Sequence, residues 1–296
     1  IPALSEHNTI AILKDGWAGK TPDFSQIAAR ADFPSVGLFE SRLENYNGIA
    51  WDRAVIWLKK GWFFIVDDLQ CKEEAEYAFQ CIWRALGQAK LNGNRWVVNK
   101  GDTRFTLVSA GAAPLAQRQS AGTSLNAKPF PLSKARALVQ AANQTMKPGD
   151  SCLFANLIST DGLSGAAEMD AAQLPNEPGG YVIQQADVFA LAGVGKCASL
   201  SRLELSADVF CVTEDGLFAA GLRALDLDDL SMRAAPPVDV RIDWKSERGV
   251  FSAAEGSQIA CIKGNRDETL TIAPGAAQTI PGLASADTWD AIHGAL

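Results

Sequence analysis

Short runs of alternating apolar and polar residues, separated by turn signals, recur along most of the chain. In the run 76–84, alternate positions place four apolar or aromatic side chains on one face: Tyr77, Phe79, Cys81 and Trp83. A period of two is typical of a strand with one buried face. Few stretches keep a helical period. The pattern predicts an all-β protein with low helix content, and short strands at regular spacing are typical of antiparallel sandwiches.

One pair of runs is apolar throughout. Residues 54–58 (AVIWL) and 62–66 (WFFIV) flank Lys59, Lys60 and Gly61. Two β-rich runs around a short turn that contains glycine predict a hairpin. Because both of its faces are apolar, we expect neither to meet water. This predicts a multi-layer antiparallel β-sandwich, or super-sandwich, over residues 1–296, with a possible sub-boundary near the polar, glycine-rich stretch 159–180.

Composition narrows the classes of function. The chain has 296 residues, 47% of them hydrophobic, so a large core can be buried. Its net charge of −7 and pI near 5.0 favour neither nucleic acid nor an anionic membrane surface as partners. No apolar run reaches the roughly 20 residues that a membrane-spanning helix needs. The six cysteines lack metal-type spacing, and we expect buried free thiols, with disulfides as the alternative.

Three segments carry a resemblance to a known family: residues 6–12 (EHNTIAI), 51–53 (WDR) and 62–68 (WFFIVDD). They resemble the C-terminal β-domain of heparinase II/III-like proteins, and the strand patterns at 77–87 and 154–158 fit it too. The resemblance implies a polysaccharide lyase with an α/α toroid upstream, which cleaves uronic-acid-containing glycans by β-elimination. The chain lacks the toroid, so an incomplete catalytic unit is expected. The alternative is a non-catalytic β-sandwich for carbohydrate binding or assembly.

The same resemblance implies partners and a location. The expected partners are an acidic polysaccharide or oligosaccharide and the upstream toroid, with no nucleic acid and no membrane. The expected location is periplasmic or extracellular. The chain starts at Ile1 without a leader-like segment, so we expect a fragment or processed product whose signal segment is not in this chain.

The resemblance also implies site residues. β-Elimination needs a base, an acid and a group that neutralises the sugar carboxylate, each within hydrogen-bond reach. The candidates are His7 and Tyr46 as catalytic residues and Asn8, Trp51 and Arg53 as substrate-binding residues. Each has a structural alternative. His7 can be satisfied at a strand edge, and Tyr46 can anchor the polar loop in which it is expected. For Arg53, an ion pair with Asp52, Asp67 or Glu76 is favoured over a substrate carboxylate.

A zinc site in the family would use His7, Asp23 and a third ligand near Cys81. No histidine lies in that strand, and zinc normally takes three or four protein ligands. The prediction is therefore no metal and no cofactor, with Cys81 packed in the core.

The tryptophans divide into two expected groups. Trp17, Trp51 and Trp62 lie where an indole could stack on a sugar ring. The other group is expected in the core: Trp57, Trp83 and Trp96.

Overall fold

A computed structural model of the protein describes residues 8–20, 22, 24–59, 61–111, 116–121, 135–162, 169–185, 188–200, 202–264, 266–284 and 286–294. Strands make up 74% of the structure and helix 3%, and the strands form three large antiparallel sheets. The predicted all-β sandwich with low helix content is confirmed.

The first sheet has five strands in the order β11-β12-β7-β1-β2. Their bounds are β1 (Thr9–Lys14), β2 (Trp17–Ala18), β7 (Ala75–Leu86), β11 (Ala116–Ala121) and β12 (Ala135–Met146). In β7 the predicted alternation holds, because Tyr77, Phe79, Cys81 and Trp83 are all buried. Opposite Cys81 stand Ile10 of β1 and Gln140 of β12, so these side chains share the inner face of the sheet.

The second sheet has eight strands in the order β3-β4-β5-β6-β13-β10-β9-β8. Their bounds are β3 (Gln26–Asp32), β4 (Val36–Tyr46), β5 (Ile49–Leu58), β6 (Trp62–Cys71), β8 (Gln88–Asn92), β9 (Arg95–Lys100), β10 (Thr103–Ser109) and β13 (Ser151–Gly162). The predicted hairpin is present as β5 and β6, which are neighbours in this order.

The third sheet has ten strands. Eight follow the order β14-β15-β16-β17-β18-β19-β20-β23, and β21 joins β19 to β22. The bounds are β14 (Met169–Gln173), β15 (Gly180–Gln185), β16 (Val188–Leu200), β17 (Leu203–Thr213), β18 (Gly216–Leu227), β19 (Leu230–Asp243), β20 (Arg248–Ser252), β21 (Ser257–Lys263), β22 (Arg266–Ile272) and β23 (Ala277–Pro281). The helix α1 (Ala286–His293) follows. Among the described residues, no helix has the length and apolar character to cross a membrane.

The chain divides into two compact units. Unit 1 comprises Ile1–Gln26, Arg42–Arg53 and Ile65–Glu168, and unit 2 comprises Ile27–Ser41, Ala54–Phe64 and Met169–Leu296. Unit 1 has a core built from the inner faces of the first two sheets, in which aromatic side chains are prominent: Tyr46, Tyr77, Phe79, Trp83, Trp96 and Phe154. Burial of this apolar area is the main stabilising term of the unit.

Unit 2 has its own core. Aliphatic and aromatic side chains of β17, β18 and β19 dominate it, and Trp244 and Phe251 are buried within it. Phe64 of β6 meets Tyr181 of β15 edge-on, with ring centroids 5.0 Å apart. In β17 the residues from Val209 to Thr213 are buried in succession, so that stretch is covered on both faces.

One face of the β5–β6 hairpin does meet water, contrary to the sequence-based expectation. Trp57 and Phe63 are each 41% exposed, whereas Trp62 is 1% exposed. The expected positions of Trp57 in the core and of Trp62 at an accessible surface are therefore wrong. Apolar residues at every position do not reveal which face is covered, because that depends on neighbouring elements.

A tight turn joins β4 to β5. Asn47 and Gly48 both have positive φ values, 58° and 84°, as a type I′ hairpin turn requires. The Asn45 side-chain oxygen accepts a hydrogen bond from the Gly48 amide at 2.9 Å. A Cβ at Gly48 would lie 2.5 Å from the Tyr77 hydroxyl oxygen. Position 48 therefore requires glycine for two reasons: its positive φ angle and the close approach of the Tyr77 hydroxyl.

Candidate functional site

The start of β1 is anchored to two other strands through Asn8. The Asn8 side-chain oxygen accepts a hydrogen bond from the Arg84 backbone amide at 2.7 Å, which ties Asn8 to β7 beyond the last backbone pair, Thr9–Ile82. Its backbone carbonyl accepts a bond from Arg53 Nη1 at 3.2 Å. Asn8 is itself exposed. The predicted site residue next to it, His7, lies outside the described residues.

Asp67 organises the polar side chains behind Asn8. It is fully buried on β6 and accepts bonds from Arg53 Nε at 2.6 Å and Arg53 Nη2 at 3.1 Å. The Trp51 indole N–H donates to the same carboxylate at 2.7 Å. Charge-assisted, two-point pairing of this kind is strong and directional. The structure thus brings three of the predicted site residues, Asn8, Trp51 and Arg53, into one hydrogen-bonded group.

Arg53 is held as a cation in this group. Burial by itself would lower the pKa of the guanidinium, but the Asp67 carboxylate outweighs burial and raises that pKa above its ordinary value. The guanidinium carbon lies 5.1 Å from the Trp51 ring centroid and 5.9 Å from that of Trp83, within cation–π range. The favoured sequence interpretation, an ion pair with a nearby carboxylate, is confirmed, and Asp67 is the partner.

Tyr46 was expected in a polar loop, and that placement is wrong. It is the last residue of β4, is 1% exposed, and packs in the core of unit 1. The polar neighbours Asn45 and Asn47 suggested a loop, but the turn takes up only Asn47 and Gly48. A side chain one position before a two-residue turn still follows the strand alternation, and here it faces inward.

A second buried polar group lies on the inner face of β12 and β13. Gln140 and Asn156 are both fully buried, and Gln140 Nε2 donates to Asn156 Oδ1 at 2.7 Å and to the Ser109 hydroxyl. Asn156 also points its amide at Cys81 Sγ, 3.9 Å away. Sequence reasoning missed this group. Its signal was a single amide within each of two apolar runs, LVQAA and FANLI.

Cys81 is fully buried, as expected. Burial, together with the charge of Asp67, raises the pKa of its thiol well above the ordinary value, so the thiol stays protonated. All six cysteines are free and buried, which confirms the expected thiol state. Within the described ranges, no group of three or more His, Cys, Asp or Glu side chains could hold a metal ion. Asp23, the other expected ligand, lies outside those ranges.

Comparisons with known proteins give structural matches only. Neither a protein-family model nor a curated protein matches the chain. The crystal structure of heparan sulfate lyase HepC from Pedobacter heparinus superposes with a TM-score of 0.51 and 14% identity, over 62% of this chain and 30% of that chain. A mutant of the same lyase gives a TM-score of 0.49 at 12% identity, over 62% of this chain and 30% of that chain.

A crystal structure of heparinase III gives a TM-score of 0.48 at 10% identity, over 63% of this chain and 29% of that chain. The region matched thus amounts to about 30% of the length of the lyase. At these identities the likeness concerns architecture, which agrees with the resemblance found in the sequence. The fold of this chain therefore matches a heparinase-like β-domain.

Proposed function

We propose that this chain is the C-terminal β-domain of a polysaccharide-lyase-like protein that acts on uronic-acid-containing glycans by β-elimination. The observation that supports the proposal is the match to the heparan sulfate lyase structure, with a TM-score of 0.51 over 62% of the chain. An α/α toroid upstream would supply the rest of the catalytic groups. We propose a periplasmic or extracellular location, where a protein would meet a polymeric acidic substrate.

In this proposal the start of β1 contributes to the glycan cleft. Asn8 is exposed, and hydrogen bonds from Arg53 and Arg84 fix its backbone and side chain. His7 directly precedes this anchored residue in the sequence, and a general acid or base must lie within hydrogen-bond reach of the reacting atom. We assign the acid–base role to His7 and glycan contact to Asn8. Arg53 and Trp51 act through Asp67 as supports, since Asp67 holds the guanidinium fork and the indole N–H.

The proposal is tested with the protein extended upstream through its toroid. His7→Ala should lower the turnover of heparan sulfate at least about a hundredfold, the usual worth of a positioned acid or base. The same substitution should leave the urea midpoint of unfolding nearly unchanged. The ultraviolet absorbance of the unsaturated product reports turnover. Full activity of the His7→Ala variant would return His7 to a structural role.

A non-catalytic carbohydrate-binding or assembly domain is the second candidate function. It is favoured by the burial of Tyr46 and by the commitment of Arg53 to Asp67, since both side chains then serve the fold. The two candidates differ in the elimination assay. A binding domain would retain glycan on the extended protein and yield no unsaturated product.

A further inference from the structure

An aromatic surface lies on unit 2, formed by Trp57 of β5 and Phe63 of β6. Each side chain is 41% exposed, and their rings stack with centroids 5.4 Å apart and planes 11° apart. The neighbouring strand contributes Gly37, at which a Cβ would lie 3.5 Å from Trp57 Cε3. That distance is an ordinary van der Waals contact, so Gly37 lies beside the indole and adds no side chain there. Large aromatic side chains held rigidly at a surface supply contact area at low entropic cost.

Charged groups border the aromatic surface. Lys59 Nζ lies 5.8 Å from the Trp57 ring centroid and donates to Asp32 Oδ1 at 2.6 Å. Arg30 is exposed on the same face of β3 as Asp32, about 7 Å along the strand. The charge of Arg30 acts on Asp32, and no hydrogen bond within the described part of the chain engages the Arg30 guanidinium fork. Two cations and one carboxylate leave one net positive charge here, against −7 for the whole chain.

We propose that Trp57, Phe63, Lys59 and Arg30 form a binding subsite for one acidic pyranose unit of a glycan. A pyranose ring offers an apolar C–H face that packs on the exposed part of the Trp57–Phe63 pair, and its carboxylate or sulfate group reaches the cations at the edge. The subsite rests on the proposed function and adds to it a second contact region, on unit 2. An acidic glycan fits this surface because it combines an apolar ring face with negative charge, whereas a simple anion has no ring face and the net charge of −7 disfavours nucleic acid.

The test is calorimetric titration of residues 1–296 with heparan sulfate oligosaccharides. Trp57→Ala should weaken binding about tenfold, equivalent to about 1.4 kcal/mol. Trp57→Phe should retain most of the affinity, because a smaller ring still stacks. Arg30→Gln should weaken binding and flatten its salt dependence. Phe24→Ala is the matched control, since Phe24 is an aromatic side chain that is 89% exposed and lies in unit 1, and it should bind as the parent chain does.

The outcomes separate the subsite from the function. If the parent chain binds heparan sulfate but Trp57→Ala and Arg30→Gln bind equally well, the subsite is wrong and the proposed function stands. If polyglutamate binds with the same affinity, binding depends only on charge attraction, and the proposed pyranose subsite is wrong. Absence of glycan binding by the parent chain overturns it too, while turnover by the extended protein would still support the lyase. If Trp57→Ala fails to fold, the affinity of the variant at the exposed residue, Arg30→Gln, decides whether the subsite is correct.

Discussion

At the scale of single residues, Asp67 holds the side chains of the candidate site in position through its hydrogen bonds. Its carboxylate is fully buried and is the shared acceptor of Arg53 and Trp51. A buried ion pair stabilises little in net terms, but removing one partner leaves the other charge buried and uncompensated. The position of Arg53, and through it of Asn8, therefore depends on Asp67.

Asp67→Asn should destabilise the protein by about 3 kcal/mol, because the Arg53 guanidinium would stay buried without its counter-ion. Urea unfolding followed by tryptophan fluorescence measures this change in the free energy of unfolding. The matched control is Asp226→Asn, which breaks a two-point pair with Arg233 that is exposed. An exposed pair is worth about 0–1 kcal/mol. Equal losses in the two variants would contradict the central place given to Asp67.

Buried groups also predict how stability depends on pH. Burial raises the pKa of the Cys211 thiol from its ordinary 9.0 to about 12, and burial is also the main cause that raises the pKa of Tyr77 from 10.0 to about 12. Both folded-state pKa values are raised, so these groups contribute stability that is fully present below the unfolded pKa values. That stability is lost as pH rises from about 9 toward 12.

The urea midpoint should therefore fall steadily above about pH 9, where the unfolded thiols begin to ionise. The measurement is a series of urea titrations from pH 7 to pH 11. Cys211→Ala removes one of the ionising groups and should make the alkaline decline shallower. A midpoint that stays constant to pH 11 would show that these groups are accessible to water in the folded state.

At the scale of elements, the Asn47–Gly48 turn fixes the register of β4 and β5. A residue with a Cβ in a left-handed conformation costs about 1–2 kcal/mol. Gly48→Ala should destabilise the protein by more than this, because the new Cβ would also clash with the Tyr77 hydroxyl. Gly93→Ala is the control, because Gly93 also has a positive φ of 56° but nothing within 4 Å of a built Cβ. It should cost only that backbone contribution, about 1–2 kcal/mol. Thermal unfolding measures the loss of stability in both variants. An equal loss in Gly48→Ala and Gly93→Ala would exclude the Tyr77 contact as a cause.

The strands were predictable from sequence where one face is polar. In β7 the alternation identifies the inner face correctly, and the apolar runs of β5 and β6 identify their hairpin. The exposure of Trp57 and the burial of Tyr46 were not predictable. The local sequence pattern does not show which face of a sheet another element covers, and it does not show how many residues a turn takes up.

In the candidate site, too, some features were predictable from the sequence and others were not. The pairing of Arg53 with a nearby acid was expected from residue types, but three candidate acids were equivalent in the sequence. Only the register of β5 against β6 selects Asp67. The Gln140–Asn156 pair depends on two strands that face the same core, so no local signal could join them.

At the scale of the whole molecule, the proposed function divides the catalytic groups between this chain and an upstream domain. The matched region makes up 30% of the lyase structure, and the described residues provide glycan-contacting candidates on both units. β-Elimination requires an acid, a base and a carboxylate-neutralising group in one cleft. We assign only part of that set to this chain.

The most direct test compares product formation from heparan sulfate by residues 1–296 and by the protein extended upstream through its toroid. Both are assayed at equal concentration by the ultraviolet absorbance of the unsaturated uronate. We expect steady product formation by the extended protein and none above background by residues 1–296. Robust product from residues 1–296 alone would contradict the division of the catalytic groups between two domains.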